Sequence, residues 1–215
     1  CASGDNVTGV TYNAVAMTQL IKVLNPGGSE HYVYGLIAPA TGANQVSVSF
    51  SGTTYVRAVA ASYTGAKQSG LPDASHSKTD STSQSAITDS VTTIANNCWV
   101  VASTDTDDAV GMTAGTGQTM RNTTSVVLAL GDSNADVTPA GSYSMTTNFI
   151  LATNKMSILL VSLAPFVAAT TTSTSTSTST STSTTSTSSS TSTTTSKSTS
   201  TTTSTSNTST STSTS

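Results

Sequence analysis

The amino-acid sequence predicts an all-β fold: an antiparallel, jelly-roll-like β-sandwich followed by an extended, non-globular Ser/Thr tail. Three observations support this prediction. Short runs rich in β-branched and aromatic residues recur about every ten residues, separated by turn clusters, a spacing typical of sandwiches and jelly rolls. Long amphipathic helical patterns are absent. From residue 170 to residue 215, every residue except Lys197 and Asn207 is Ser or Thr.

The predicted strands follow from local alternation and composition. In one run, Val46, Val48 and Phe50 alternate with polar residues, so one face of that strand is buried and the other is wet. The predicted strands are 7–12, 32–37, 45–50, 55–63, 86–94, 99–103, 125–130, 142–147 and 156–163. We expect the core to include Val48, Phe50, Tyr63, Trp99, Val101, Val127, Leu160 and Val161.

One segment fits two secondary structures. Met17, Leu20, Ile21 and Leu24 fall at i, i+3, i+4 and i+7, which suits a short amphipathic helix as well as a strand. We favour a strand because the run is short and because 12–14, just before it, resembles a hairpin turn. Other turn clusters at 25–28, 70–73 and 139–141 combine Gly, Pro, Asn and Asp, which suit tight turns.

The composition divides the chain into a domain at 1–169 and a low-complexity tract at 170–215. All Trp, Tyr, Phe, Met, Leu, Ile and Val residues precede the tract. Ordering each residue costs about 1–2 kcal/mol of backbone entropy, which a segment without apolar side chains cannot recover by burial. Dense Ser/Thr is typical of O-glycosylated, mucin-like stalks, although an unmodified tract would be a flexible linker.

Several residues are therefore candidate glycan acceptors. The O-linked candidates begin the tract, and three N-x-S/T sequons add N-linked candidates, whose use depends on a glycosylating host. The acceptors are Thr170, Thr171, Thr172, Ser173, Thr174 and Ser175, together with Asn6, Asn122 and Asn207. We expect covalent glycans rather than a cofactor.

Charge and hydropathy limit the classes of partner that we expect the chain to bind. The chain has a formal net charge of −3 and seven scattered Lys and Arg residues. Binding to nucleic acid needs clustered positive charge, so we expect no such partner. No apolar run reaches the length of a transmembrane segment. Because no signal peptide is recognisable either, an extracellular or cell-surface location is inferred from the other features.

The two cysteines, Cys1 and Cys98, allow three interpretations. An even number of thiols in a chain with extracellular features predicts a disulfide between the N-terminus and the strand that begins at Trp99. Alternatively, Cys1 is the lipid-bearing first residue of a processed bacterial lipoprotein. The third interpretation is that Cys1 only marks a fragment boundary.

The order of strand and turn motifs resembles a group of predicted jelly-roll-like β-sandwich proteins of bacterial surfaces and phage particles. The resemblance covers about 7–165 and rests on VTYNAVAMTQL, HYVYGLIAP, VSVSFSGTTYVRAVAASYTGA and PAGSYSMT. Tyr12-Asn13-Ala14 followed by Met17-Thr18 stands where members have YNG and MT. The resemblance implies a virion or cell-surface setting and brings no catalytic residues.

Catalytic chemistry finds little support. His31, at the start of a predicted strand, and His76, in the polar run 73–83, are the only histidines, and we interpret each as a strand-edge or loop residue. We therefore predict no enzyme activity and no catalytic or cofactor-binding residues. The densest acidic group, Asp105, Asp107 and Asp108, is a weak calcium candidate without EF-hand spacing, and Asp132 with Asp136 forms a second group.

Three functional hypotheses remain. We favour a structural subunit of an extracellular filament or surface assembly, whose partners are copies of itself and whose Ser/Thr tract forms a glycan-coated stalk. The alternative is a carbohydrate-binding or adhesive module with a Ser/Thr linker, which would stack sugars on aromatic residues. The candidates are Tyr12, Tyr32, Tyr34, Tyr55, Tyr63, Tyr143 and Trp99, of which Tyr32, Tyr34 and Trp99 are expected to pack in the domain. The third hypothesis is a phage virion structural protein.

Overall fold

The computed structural model describes residues 7–53, 55–108, 110–122 and 127–167, all within the unit Cys1–Thr170. These residues form thirteen β-strands and no helix. The strands are β1 Val7–Tyr12, β2 Val15–Ala16, β3 Thr18–Leu24, β4 Glu30–Gly35, β5 Val46–Phe50, β6 Ala74–Asp80, β7 Gln84–Thr92, β8 Trp99–Thr106, β9 Met112–Ala114, β10 Thr119–Met120, β11 Leu128–Asp132, β12 Ser142–Thr153 and β13 Met156–Leu163.

The strands assemble into four sheets in which every described pairing is antiparallel. A five-stranded sheet has the order β10-β11-β8-β13-β6, and a three-stranded sheet has the order β7-β12-β9. A second three-stranded sheet has the order β2-β1-β5, and β3 and β4 form a hairpin. Non-consecutive neighbours in these orders mean that most of the pairing is between distant segments.

The main core lies between the five-stranded sheet and the β7-β12-β9 sheet. Strands β7, β8, β12 and β13 each supply alternate apolar side chains to it, as expected when two sheets pack face to face. Burial of one such side chain contributes about 1.5–3 kcal/mol. The principal members are Ile87, Val91, Val100, Ala102, Met145, Phe149, Met156, Ile158 and Leu160. The two sheets therefore form a β-sandwich-like arrangement.

Strand β13 is buried on both faces. Met156, Ile158 and Leu160 face the main core, and the intervening Leu159 and Val161 are also buried. The β3–β4 hairpin lies against this second face and contacts β13 from both of its strands. A strand covered on both sides needs a continuous apolar run rather than alternation. This explains the sequence Met-Ser-Ile-Leu-Leu-Val-Ser-Leu.

The turn between β1 and β2 confirms the hairpin expected at 12–14. Asn13 and Ala14 have positive φ angles of 49° and 61°, and Tyr12 pairs with Val15 across them. Two positive φ values are the requirement of a two-residue hairpin turn matched to strand twist. The segment that fitted helix or strand forms β3, so the strand interpretation is confirmed.

The predicted all-β, antiparallel fold class is confirmed, and most predicted strands exist with shifted ends. Two of them, 7–12 and 156–163, have the bounds of β1 and β13. The strand predicted at 125–130 corresponds to β11, and residues 125 and 126 lie outside the described part. Of the expected core, Val101, Val127, Leu160 and Val161 are buried, whereas Val48, Phe50, Tyr63 and Trp99 are half-buried.

Two predictions about strands were wrong. The run 55–63 has suitable composition, but its described residues form no strand, and Tyr55 is 92% exposed. High β-propensity does not make a strand where no neighbouring strand completes the hydrogen bonds. Conversely, the polar run that includes His76 forms β6, which pairs along its length with β13. An edge strand with partly exposed faces can be polar.

Candidate functional site

A buried polar cluster joins the β3–β4 hairpin to the five-stranded sheet. His31 lies at the start of β4, as expected, and is only 4% exposed. Its Nδ1 lies 2.9 Å from Ser157 Oγ, and its Nε2 lies 2.8 Å from Ser103 Oγ. Burial lowers the pKa of His31 to about 3. The imidazole is therefore neutral at pH 7, with one nitrogen donating and the other accepting.

The connection between β3 and β4 is tied to the same place. Asn25 is buried, and its Nδ2 donates to the main-chain oxygen and to Oδ2 of Asp105, at 3.1 and 3.0 Å. Its Oδ1 accepts from the Gly27 amide at 3.0 Å. Ser29 Oγ donates to the same Asp105 Oδ2 at 2.8 Å. Burial raises the pKa of Asp105, and these side-chain hydrogen bonds partly offset the effect.

We call Asn25, Ser29, His31, Ser103, Asp105 and Ser157 the hairpin clamp. A Ser hydroxyl within hydrogen-bond reach of a His is also the arrangement of a nucleophile and its base. Here, however, His31, Ser103 and Ser157 are all buried between the hairpin and the five-stranded sheet. A substrate would have to displace the hairpin to reach them. The clamp therefore acts by fixing the hairpin to the sheet.

The three calcium candidates are engaged with separate partners. Asp105 belongs to the hairpin clamp, and Asp108 Oδ2 accepts from Thr153 Oγ1 at 2.7 Å. The Asp107 amide donates to Lys155 O at 3.2 Å. Within the described residues, no group of three or more His, Cys, Asp or Glu side chains is placed to hold a metal ion. The structure thus does not bring these carboxylates together.

The second acidic group is also divided. Asp132 is fully buried and accepts two hydrogen bonds from Arg121, from Nε at 2.5 Å and from Nη2 at 3.0 Å. It also accepts from Tyr63 Oη at 3.0 Å. Burial, followed by the charge of Asp132, raises the pKa of Tyr63. Asp136 instead lines a cleft of about 540 Å³. The Tyr63 contact holds the non-strand segment against the end of β11.

His76 and Lys78 close one edge of the sandwich. His76 Nδ1 lies 2.9 and 2.8 Å from the two carboxylate oxygens of Asp89 in β7. Lys78 Nζ donates to the main-chain oxygen of Thr88 at 3.1 Å. These contacts join the edge strand β6 to the edge strand β7 of the opposite sheet. These contacts explain why β6 is polar, and its polar sequence is the reason that this strand was not predicted.

Tyr32 and Tyr34 lie on the outer face of the β3–β4 hairpin, opposite to His31. They share one face, as expected from their i, i+2 spacing, but that face points away from the sheet underneath. Their ring centroids are 6.1 Å apart, with 33° between the planes. Lys22 Nζ lies 5.2 Å from the centroid of the Tyr32 ring. Tyr34 Oη donates to Gln19 Oε1 at 3.3 Å.

The other aromatic candidates are dispersed. Tyr12 Oη donates to Ala40 O and Gly42 O, at 3.2 and 3.3 Å, within the loop before β5. Trp99 packs against Tyr63 with centroids 5.8 Å apart, and Tyr143 lines the same cleft as Asp136. Tyr55 is exposed without a described aromatic neighbour. Of the two aromatic pairs in the described domain, Tyr63 and Trp99 join the 55–63 segment to β8, whereas Tyr32 and Tyr34 lie along one strand of the hairpin.

Cys98 is buried and directly precedes β8. Its Sγ donates to Ala95 O at 3.1 Å and to Asp73 Oδ2 at 3.5 Å. Burial, followed by the charge of Asp73, raises the pKa of Cys98 to about 11. Its proposed partner, Cys1, lies outside the described residues, so the disulfide remains a prediction.

Most glycan acceptors also lie outside the described part of the chain. These are Asn6, Asn207 and the O-linked candidates Thr170, Thr171, Thr172, Ser173, Thr174 and Ser175. The described sequon residue is Asn122, which is half-buried just after β10. Its Nδ2, the atom to which a glycan would be attached, donates to Leu128 O at 3.2 Å. Attachment would therefore require this side chain to adjust.

The edges of the sheets differ in how they are protected. Strands β2, β9 and β10 have only two or three residues. The edges of β6 and β7 are joined by His76 and Lys78, and the β3–β4 hairpin carries the ion pair Lys22–Glu30 at 2.7 Å. In contrast, β5 is an edge strand of five residues, Val-Ser-Val-Ser-Phe, without charge or proline. Natural proteins usually avoid a long, uncharged edge strand of this kind.

Comparisons of the chain with protein-family models, with curated proteins and with solved structures found no match. No family is therefore identified, and the resemblance to surface and phage β-sandwich proteins extends no further than the all-β, antiparallel fold. In the described part of the chain, no helix has the length and apolar character needed to cross a membrane.

Proposed function

We propose that this protein is a structural subunit of an extracellular filament or surface assembly, whose copies associate through the outer edge of β5. The observation that supports this proposal is the uncharged edge formed by Val46–Phe50, with Val46 42% exposed. Alternate backbone N–H and C=O groups of an edge strand point away from its neighbour. A strand from another copy would satisfy these groups and extend the sheet.

The two edges of the β2-β1-β5 sheet determine how such pairing could continue. Pairing of β5 with β5 of a second copy is symmetric and ends at a dimer. Pairing of β5 with the opposite edge, formed by β2 and the part of β1 that β2 does not cover, is head-to-tail and leaves a free edge at each end. Repetition of this second contact builds an open filament. We propose the head-to-tail contact because it matches a repeating assembly.

The Ser/Thr tract at 170–215 supports the extracellular part of the proposal by its composition alone. A segment without apolar residues does not form a core, and dense hydroxyl side chains suit O-glycosylation. In an assembly, each copy would contribute one glycan-coated stalk to the surface. A heterogeneous intact mass of the native protein, well above the 21.5 kDa of the polypeptide, would support this. A mass equal to that of the polypeptide would contradict it.

Charged substitutions on the exposed face of β5 test the assembly directly. Ser47 and Ser49 are both exposed, so S47K/S49K adds charge to the edge without altering the half-buried apolar face. The matched control, S75K/T79K, adds two lysines at exposed positions of the edge strand β6. We expect oligomers larger than a dimer for the unchanged chain and the control, and monomers for S47K/S49K. Light scattering coupled to size exclusion and electron microscopy would measure this.

Three results would overturn the proposal. The full-length chain could remain monomeric at concentrations of about 100 μM, well above those at which specific interfaces are occupied. It could form only closed dimers, which would exclude the filament. Finally, S47K/S49K could assemble as well as S75K/T79K does, which would place the contact away from β5.

A further inference from the structure

We propose that the outer face of the β3–β4 hairpin binds neutral carbohydrate, with the Tyr34 ring as the stacking surface. This inference goes beyond assembly and does not depend on it, because the hairpin belongs to a different sheet from β5. The face comprises Gln19, Lys22, Leu24, Glu30, Tyr32 and Tyr34, as cross-strand pairing shows. We call it the tyrosine face.

The cross-strand register explains why these side chains lie together. Lys22 pairs with Tyr32, Gln19 pairs with Tyr34, and Leu24 pairs with Glu30. Residues directly opposite in an antiparallel pair point to the same side of the sheet. Since His31 is buried against the five-stranded sheet, Tyr32 and Tyr34, one and three residues further along β4, must point outward.

The two rings provide an apolar strip along β4. Their centroids are 6.1 Å apart and their planes differ by 33°, so they form neither a stacked nor a perpendicular pair. Such a strip can receive the C–H face of a pyranose ring. Tyr residues also bring little conformational entropy loss on binding, because only two side-chain torsions are involved. The rings are therefore suited to a flat, partly apolar ligand.

Polar groups lie beside each ring. Near Tyr34, the Gln19 side-chain oxygen accepts from the tyrosine hydroxyl at 3.3 Å. Near Tyr32, the Lys22 ammonium lies 5.2 Å from the ring centroid and 2.7 Å from Glu30 Oε2. The Gln19 amide thus offers a donor and an acceptor beside Tyr34, and the Lys22 ammonium offers donors beside Tyr32, where Glu30 Oε2 is buried. Sugar hydroxyls donate and accept at once, so they match this arrangement.

Charge distinguishes the ligand class. Lys22 and Glu30 are the ionic groups of the tyrosine face, and they pair with each other, which leaves the face without net charge. Nucleic acid and acidic polysaccharides require excess positive charge. A protein partner would favour a larger apolar centre than Leu24 and the two half-buried rings supply. A neutral glycan satisfies both the rings and the charge balance.

Because Lys22 partly covers Tyr32, we assign the two tyrosines different roles. The Tyr34 ring receives the sugar, and the Lys22 ammonium contacts the hydroxyls of the adjoining sugar unit. Tyr32 supports Lys22 through the cation–π contact. The Y34A variant should therefore lose more affinity than K22Q, and Y34F, which keeps the ring, should lose the least.

The test uses the full chain with S47K/S49K, so that assembly cannot add avidity. Calorimetry or protein-observed NMR would measure binding of three neutral probes, maltohexaose, cellohexaose and chitohexaose, with an acidic oligogalacturonate as the comparison. We expect binding of at least one neutral probe. Affinity should fall about tenfold or more in Y34A and less than about threefold in Y34F, where tenfold corresponds to about 1.4 kcal/mol.

Y55A is the matched control, because Tyr55 is 92% exposed and lies outside the tyrosine face. Its affinity should equal that of the parent. The proposal is overturned by absence of binding to all three neutral probes, by stronger binding of the acidic probe, or by an equal loss in Y34A and Y55A. A loss in Y34F as large as that in Y34A would also overturn it, since the ring would then be irrelevant. Failure here leaves the assembly test unaffected.

Discussion

Acidification should loosen the hairpin clamp through His31. The imidazole is buried between β4 and the five-stranded sheet and is held by Ser103 and Ser157. Burial lowers its pKa from the ordinary 6.5 to about 3. In the unfolded chain the same side chain accepts a proton near pH 6.5. Between these two pH values the unfolded state therefore binds one more proton than the folded state.

This difference fixes the sign and the size of the effect. Where the unfolded state binds more protons, the free energy of unfolding rises with pH, so the contribution of His31 is fully present above 6.5 and is lost toward pH 3. One pH unit corresponds to about 1.4 kcal/mol for a single proton. From pH 7 to pH 4.5 the expected loss is about 2–3 kcal/mol. That is a large share of the 5–15 kcal/mol typical of a domain.

Asp105 in the same clamp acts in the opposite direction. Burial raises its pKa above the ordinary 3.8, so the folded state holds this proton more tightly than the unfolded chain does. As pH falls through the raised value toward 3.8, Asp105 adds stability and offsets part of the loss from His31. The D105N variant removes this offset. Its stability should therefore decrease more steeply with acid than that of the unchanged chain.

Urea unfolding from pH 7 to pH 4.5 would measure both effects, with the fluorescence of Trp99 as the probe, since it is the single tryptophan. The H31Q variant keeps a polar side chain but does not titrate. We expect its free energy of unfolding to be lower at pH 7 and its slope against pH to lose about 1.4 kcal/mol per unit. Equal slopes in H31Q and the unchanged chain would refute the role of His31.

Three further predictions concern packing and the thiol. I158A should lower the free energy of unfolding by about 2–5 kcal/mol, because Ile158 is fully buried. The control I150A, at an isoleucine that is 72% exposed, should change it by less than about 0.5 kcal/mol. Similar losses for both variants in urea unfolding would contradict the core assignment. Y63F removes the hydrogen bond to Asp132 and should cost about 1 kcal/mol, with a negligible effect arguing against this contact. Non-reducing peptide mapping should show Cys1 bridged to Cys98, and a lipid on Cys1 would contradict this. In reduced protein the buried Cys98 thiol should react with iodoacetamide only on unfolding, and rapid alkylation of the folded protein would contradict this.

The sequence predicted the elements whose patterns are local. The continuous apolar run of β13 and the alternation of β5 depend on neighbours within a few residues, and both strands were predicted. The 55–63 run had equally good local composition, but no strand in the described part of the chain pairs with it. Strand β6 was not predicted, because its residues are polar. Their partners, Asp89 and Thr88, lie on the opposite sheet and are not apparent from the local sequence.

The hairpin clamp could not be predicted for a related reason. His31 is separated by 72 residues from Ser103 and by 126 residues from Ser157. Serine is so common in this chain that no serine near a histidine carries information. Only the antiparallel order of β8 and β13 under the hairpin brings the three together. The tyrosine face was predicted in part. The spacing of Tyr32 and Tyr34 predicted that both rings lie on one face of the strand, but it did not predict that this face points outward.

Hydrogen exchange of β5 tests the central proposal most directly. Backbone amides on the outer edge of Val46–Phe50 would be protected if another copy pairs there, and open to solvent otherwise. Exchange followed by mass spectrometry would compare the assembled chain, the S47K/S49K variant and the S75K/T79K control. The proposal predicts slow exchange of the peptide that contains β5 in the assembled chain and the control, and fast exchange in S47K/S49K. Equally fast exchange in all three would contradict assembly through this edge.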